Sequence, residues 1–113
     1  PIIFPLDELN EYIEIENTSS SNVNLGGWFI RVESIAGPEG RYEFPSTFVL
    51  REDRTVKVWT GLGEDTSTDL YWGQLIPRWK DNRDCGYLRD EEDVKDVYCY
   101  PEDESEIILQ VSP

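Results

Sequence analysis

The chain contains no histidine at all. That absence removes the Ser–His and Cys–His dyads, the commonest metal-ligating side chain and the usual general base near neutral pH. Positive charge is also scarce. Ten Lys and Arg stand against 24 Asp and Glu, giving a net charge of −14, and the basic residues form no run. Phosphate polyanions are bound by clustered Lys and Arg, so nucleic acid and anionic membranes are poor partners. Basic protein surfaces are better ones, because complementary charge speeds and orients encounter. No apolar stretch approaches the length that spans a bilayer. Cysteine is limited to Cys85 and Cys99. Both fall near predicted strands, which leaves a bridge geometrically open, but free thiols are the expectation. Cys85 would be nucleophilic only with a depressed pKa, and the acids crowding Arg83 and Arg89 oppose that. Finally, no segment keeps the apolar spacing of a helix over several turns.

What is present suits one compact core. A length of 113 residues is that of a single domain. Hydrophobic residues at 38%, with four Trp, six Tyr and four Phe, suffice to fill it. The chain starts at Pro1 and not at Met, so it reads as a segment excised from something longer. Residues 1–10, carrying Pro1 and Pro5, read as a lead-in, and 11–113 as the domain.

Within that domain the apolar residues alternate with a period of two. Ile13 and Ile15 share one side of the first strand, with Glu14 and Glu16 on the other. A Ser/Asn turn and Gly26-Gly27 lead to Trp28, Ile30 and Val32, again on one side. After the turn Gly37 to Gly40 come Tyr42 and Phe44, and Pro45 stops the ladder. Phe48 and Leu50, then Val56 and Val58, continue the candidate core. Trp59 has the opposite parity to Val58 and is read as a candidate partner-binding indole. A short aromatic strand at Leu70 to Trp72 follows. Tyr87 to Arg89 and Val94 to Tyr100 flank an acidic turn, and an apolar strand closes the chain at Ile107 to Val111. Many short strands, regular turns and no repeat predict an all-β antiparallel sandwich.

The remaining candidate sites are weaker than their structural readings. Asp90, Glu91, Glu92 and Asp93, and further on Glu102 to Glu104, offer oxygen ligands, but without the ligand spacing and glycine of an EF-hand. They read as solvated turns, so no metal is expected, and no cofactor. Gly61-Leu62-Gly63 lacks the context of a nucleotide loop. Paired carboxylates could serve glycoside hydrolysis, and the aromatics a sugar platform, yet their strand spacing favours a core. Asn17-Thr18-Ser19 matches a glycosylation sequon and reads instead as a polar turn. An enzyme is not expected.

Taken in order, the motifs resemble a known family. Glu11 to Asn17 leads through the Ser/Asn turn to Leu25-Gly26-Gly27-Trp28. Then come Tyr42-Glu43-Phe44-Pro45, Phe48-Val49-Leu50, Val56-Lys57-Val58-Trp59, Asp69-Leu70-Tyr71-Trp72 and Trp79. Their order and spacing resemble the lamin tail domain, the globular module behind the coiled-coil rod of intermediate-filament proteins. The resemblance implies an immunoglobulin-like sandwich and a non-catalytic role in filament organisation and partner docking, with self-association through the parent filament. It implies an intracellular setting, the cytoplasmic filament network being favoured over the nuclear lamina. Two departures lean away from a nuclear lamin. The family's Trp-Gly-x-Gly is replaced after Trp79 by Lys80 to Gly86, and its Gly-Glu-Glu-Val turn by Asp90 to Val94. The candidate contact surface is Trp59 together with Asp90, Glu91, Glu92 and Asp93. The alternative function is an extracellular β-sandwich module for adhesion or carbohydrate binding.

Overall fold

A computed structural model describes residues 11–75, 78–79, 83–100 and 108–111. The expected lead-in, residues 1–10, lies outside the described residues. Among the described residues ten strands follow in order: β1 (Tyr12–Asn17), β2 (Val23–Asn24), β3 (Phe29–Val32), β4 (Arg41–Glu43), β5 (Val49–Leu50), β6 (Thr55–Trp59), β7 (Asp69–Tyr71), β8 (Asp84–Arg89), β9 (Val94–Tyr100) and β10 (Ile108–Val111). One four-stranded sheet has the order β10-β1-β6-β7, a second the order β4-β3-β8-β9, and β2 pairs with β5. The fold is an all-β, immunoglobulin-like sandwich, with two sheets closing on one core.

Most pairings are antiparallel, as the alternation predicts, but β1·β10 and β6·β7 are parallel. A hairpin can only join antiparallel neighbours. The parallel contacts therefore arise where a strand returns from a distant part of the chain, or where the loop of residues 60–68 crosses before β7. Neither event leaves a local pattern in the residues.

The buried cluster holds Ile13 and Ile15 of β1 beside Val58 and Val56 of β6 in one sheet, Ile30 and Val32 of β3 with Tyr42 of β4 in the other, and Phe44 and Leu50. Leu25, Leu70, Trp79 and Leu88 fill the remaining space. Trp28 and Phe48, placed in the core by their spacing, are only half-buried and pack against its rim. The reason is local. β3 begins at Phe29, so Trp28 belongs to the preceding turn, its N–H donating to Leu25 O at 2.9 Å. Phe48 likewise sits in a turn, its N–H bonded to Pro45 O at 3.0 Å, with its ring stacked on Phe44.

Trp79 fills the middle of the sandwich because β8 yields room at Gly86. A methyl group there would lie 2.8 Å from Trp79 Cη2 and 3.1 Å from Ile13 Cδ1, inside contact distance. Gly86 shares the inward parity of Leu88, so the missing side chain is a recess for the indole.

The expectation of free thiols is overturned. Cys85 and Cys99 are register partners on β8 and β9, with Cα atoms 4.1 Å apart, and form a disulfide. Their pairing depends on the β8–β9 register, which shifts irregularly between Leu88 and Arg89. A bulge of this kind cannot be read from spacing.

Candidate functional site

Three buried polar residues hold the ends of the strands in place. Glu11 is 1% exposed, and its Oε1 accepts hydrogen bonds from Thr60 Oγ1 at 2.8 Å, Arg78 N at 2.6 Å and Trp79 N at 3.0 Å. It thereby fixes the segment that delivers Trp79 to the core. Asn17 is fully buried, donating from Nδ2 to Leu50 O at 2.8 Å and Ser21 O at 3.0 Å. Its Oδ1 accepts from Ser19 N at 2.9 Å, closing the turn after β1. With that amide nitrogen buried and used twice, the sequon at Asn17 is a structural clasp in the folded domain. Asp84, also buried, receives the Ser34 N–H at 3.1 Å and the Cys85 N–H at 2.8 Å, and binds the Ser34 hydroxyl. Buried polar groups of this kind are retained when their bonds are made.

On the outer side of the β10-β1-β6-β7 sheet, Trp59 lies opposite Val58 in parity and is half-buried. Tyr12 lies 4.7 Å from it, tilted, and Tyr71 lies 6.3 Å away with planes nearly parallel. Its Nε1 donates to Asp69 Oδ1 at 2.9 Å, and Lys57 Nζ sits 4.8 Å from the Tyr12 ring centroid. The indole is thus a plate fixed on three sides. Hydrogen bonds from Trp59 and then Thr68 hold the Asp69 carboxyl below its ordinary 3.8, with Lys57 adding to the effect against some desolvation. Asp69 therefore contributes stability that is full above that value and is lost as pH falls through the lower, folded-state pKa.

The acidic turn belongs to the other sheet. Asp90 spends its carboxylate locally: Oδ1 accepts the N–H groups of Glu92 at 2.8 Å and Asp93 at 2.7 Å, and Oδ2 meets Lys95 Nζ at 3.2 Å. The two backbone bonds, then Lys95, lower its pKa. Glu91, Glu92 and Asp93 remain exposed. Asp90, Glu91 and Glu92 join Gly26, Gly27 and Trp28 around a shallow depression of about 410 Å³. Lys95 Nζ lies 5.7 Å from the Trp28 ring centroid. The structure therefore brings Trp28, and not Trp59, to the acids. Glu102 to Glu104 lie outside the described residues. Among the described residues no cluster of three or more His, Cys, Asp or Glu is arranged to hold a metal ion.

Comparison with known proteins places this geometry. The chain matches the lamin tail domain over residues 5–102. It belongs to the lamin tail domain family. The family is a structural, non-enzymatic one. The chain is similar to human Lamin-B2, with 27% identity over 70 residues, which make up 59% of this chain and 11% of Lamin-B2. The lamin tail domain thus spans only a small part of that relative's length. No helix among the described residues is long and apolar enough to cross a membrane.

The contact residues read from the sequence do not form one surface, because Trp59 and the 90–93 turn stand on different sheets. Glu11, Asn17 and Asp84 went unrecognised as structural residues, although a signal existed. Glu11 and Asn17 share the parity of Ile13 and Ile15, and Asp84 shares that of Leu88, so alternation alone turns all three inward.

Proposed function

We propose that this lamin tail domain is a non-catalytic docking module that contributes to filament organisation and meets basic protein surfaces through its β8–β9 turn. The observation that carries the reading is the division of labour in that turn. Asp90 is used up in shaping it, which leaves Glu91, Glu92 and Asp93 exposed, the first two beside Trp28. Two exposed carboxylates flanking a half-buried indole, with a third close by in the turn, offer a cationic partner both charge and an apolar contact. The docking unit is taken as residues 11–113 behind the lead-in, and self-association would run through the parent filament. Similarity to a lamin supports an intracellular setting and the nuclear lamina; it lends no support to the cytoplasmic preference drawn from the sequence.

The test uses the full chain and a fluorescein-labelled peptide of alternating Lys and Leu. Binding should weaken as salt rises, and replacing Glu91 and Glu92 by Gln should weaken it about tenfold at low salt. Equal binding by that variant would sink the turn as the docking surface. For the filament role, the gene product with and without residues 5–102 is imaged by electron microscopy, and indistinguishable assemblies would refute it.

The extracellular reading is favoured by a single observation, the Cys85–Cys99 bridge, because disulfides persist in oxidising compartments. Alkylation of freshly lysed native material distinguishes the two settings: blocked thiols favour secretion, and reactive ones favour the intracellular reading.

A further inference from the structure

The outer face of the β4-β3-β8-β9 sheet carries a charge opposite to that of the molecule. Along one row across the strands, Arg41, Arg31, Tyr87 and Val97 are successive register partners. Along the next, Glu43, Phe29, Arg89 and Val94 are. Each row runs from charged residues at the β4 side to an exposed valine on β9, Val97 at 47% and Val94 at 49%. Like charges directly opposite on adjacent strands are unfavourable, yet Arg31 faces Arg41. Phe29, although on this outer face, is only 9% exposed, because the Arg41 guanidinium lies 3.7 Å from its ring centroid and that of Arg89 5.8 Å.

The counter-charges are few. Arg41 pairs with Glu43 at 3.3 Å in an exposed bridge. Arg31 is directed at the β3–β4 turn, donating to Gly37 O at 2.5 Å and Ile35 O at 2.9 Å. Arg89 meets no carboxylate among the described residues, and its Nε is buried with no hydrogen-bond partner. Glu33 accepts from the Tyr87 hydroxyl at 2.6 Å and so borders the face. A chain with 24 acids to ten bases could easily supply counter-charges, yet among the described residues Arg31 and Arg89 meet no carboxylate. Stacking on Phe29 shields the ring and orients two guanidiniums: that of Arg89, which holds no carboxylate among the described residues, and that of Arg41, whose only bridge is exposed and can exchange for a partner's carboxylate.

We infer that this face docks an acidic segment of a partner protein, with carboxylates over Arg41 and Arg89 and apolar side chains over Val94 and Val97, while Arg31, engaged with the β3–β4 turn, adds its charge to the field. The inference deepens the docking reading above, on which it rests, but assigns a second surface and a partner of opposite sign. A long polyanion such as nucleic acid suits the site less well, because the net charge of −14 repels it beyond the patch.

The full chain is titrated with a fluorescein-labelled peptide of alternating Glu and Leu, alongside the Lys/Leu peptide and a Gln/Leu control. The Glu/Leu peptide should bind in preference to Gln/Leu. Arg89→Gln should weaken it about tenfold, as loss of a charge-assisted contact would. Val97→Ser should also weaken it, while replacing Glu91 and Glu92 by Gln should leave it unchanged or tighter. A melting curve verifies that each variant is folded. If Arg89→Gln does not fold, Val97→Ser and competition by free oligo-glutamate decide. Equal affinity for Glu/Leu and Gln/Leu, or undiminished binding by folded Arg89→Gln, overturns the inference. Lys/Leu binding without Glu/Leu binding overturns this surface alone, and binding of neither peptide overturns the docking reading as well.

Discussion

Trp28 and Trp79 both stand among the motifs that carry the family resemblance, but their surroundings differ in kind. Trp79 is 4% exposed and rests in the recess left by Gly86, with its backbone N–H held by Glu11. Trp28 borders an open acidic depression. Removing a fully buried indole costs roughly 3–5 kcal/mol, and a half-buried one correspondingly less. Urea unfolding should therefore show Trp79→Ala losing most of the domain's stability and Trp28→Ala about half as much. The reverse ranking would show that the core is centred at the Trp28 end. Parity rightly separates Val58 from Trp59, but it overreaches at Trp28. The turn that precedes β3 has no period to read, and only its hydrogen bond to Leu25 shows where the strand begins.

At the scale of elements, the hairpin β8–β9 does most to shape the candidate surfaces. Its turn presents the exposed acids, its outer face supplies Arg89 and the two valines, and the Cys85–Cys99 bridge joins its strands. Closing a loop with a sequence separation of 14 removes unfolded-state entropy worth about 3 kcal/mol. Reduction should accordingly lower the melting temperature by several degrees and speed amide exchange in β9 first, since among the described residues β9 is the edge strand of its sheet, paired with β8. Unchanged melting after complete reduction, verified by mass, would show that the bridge adds nothing to the hairpin. Both strands were legible as apolar runs around an acidic turn. Their register was not, because the irregularity between Leu88 and Arg89 decides which residues face each other.

For the molecule as a whole the dominant fact is its charge. A net −14 on one small domain opposes compaction through self-repulsion, which added salt screens. Thermal stability should rise with sodium chloride, and millimolar calcium should do no more than sodium at equal ionic strength. A clear extra upward shift with calcium would show that the acidic turns hold the ion. Composition and alternation by themselves determined the all-β class, the single core, the missing histidine chemistry and the excess of acid, because each depends on residue type and local period. Tertiary structure alone decided that Cys85 meets Cys99, that Trp28 and not Trp59 joins the acidic turn, and that Arg31, Arg41 and Arg89 share one face. Each of these depends on which strands lie side by side and in what register. Those relations are set by the packing of distant segments around the core, where no local pattern in the chain can encode them.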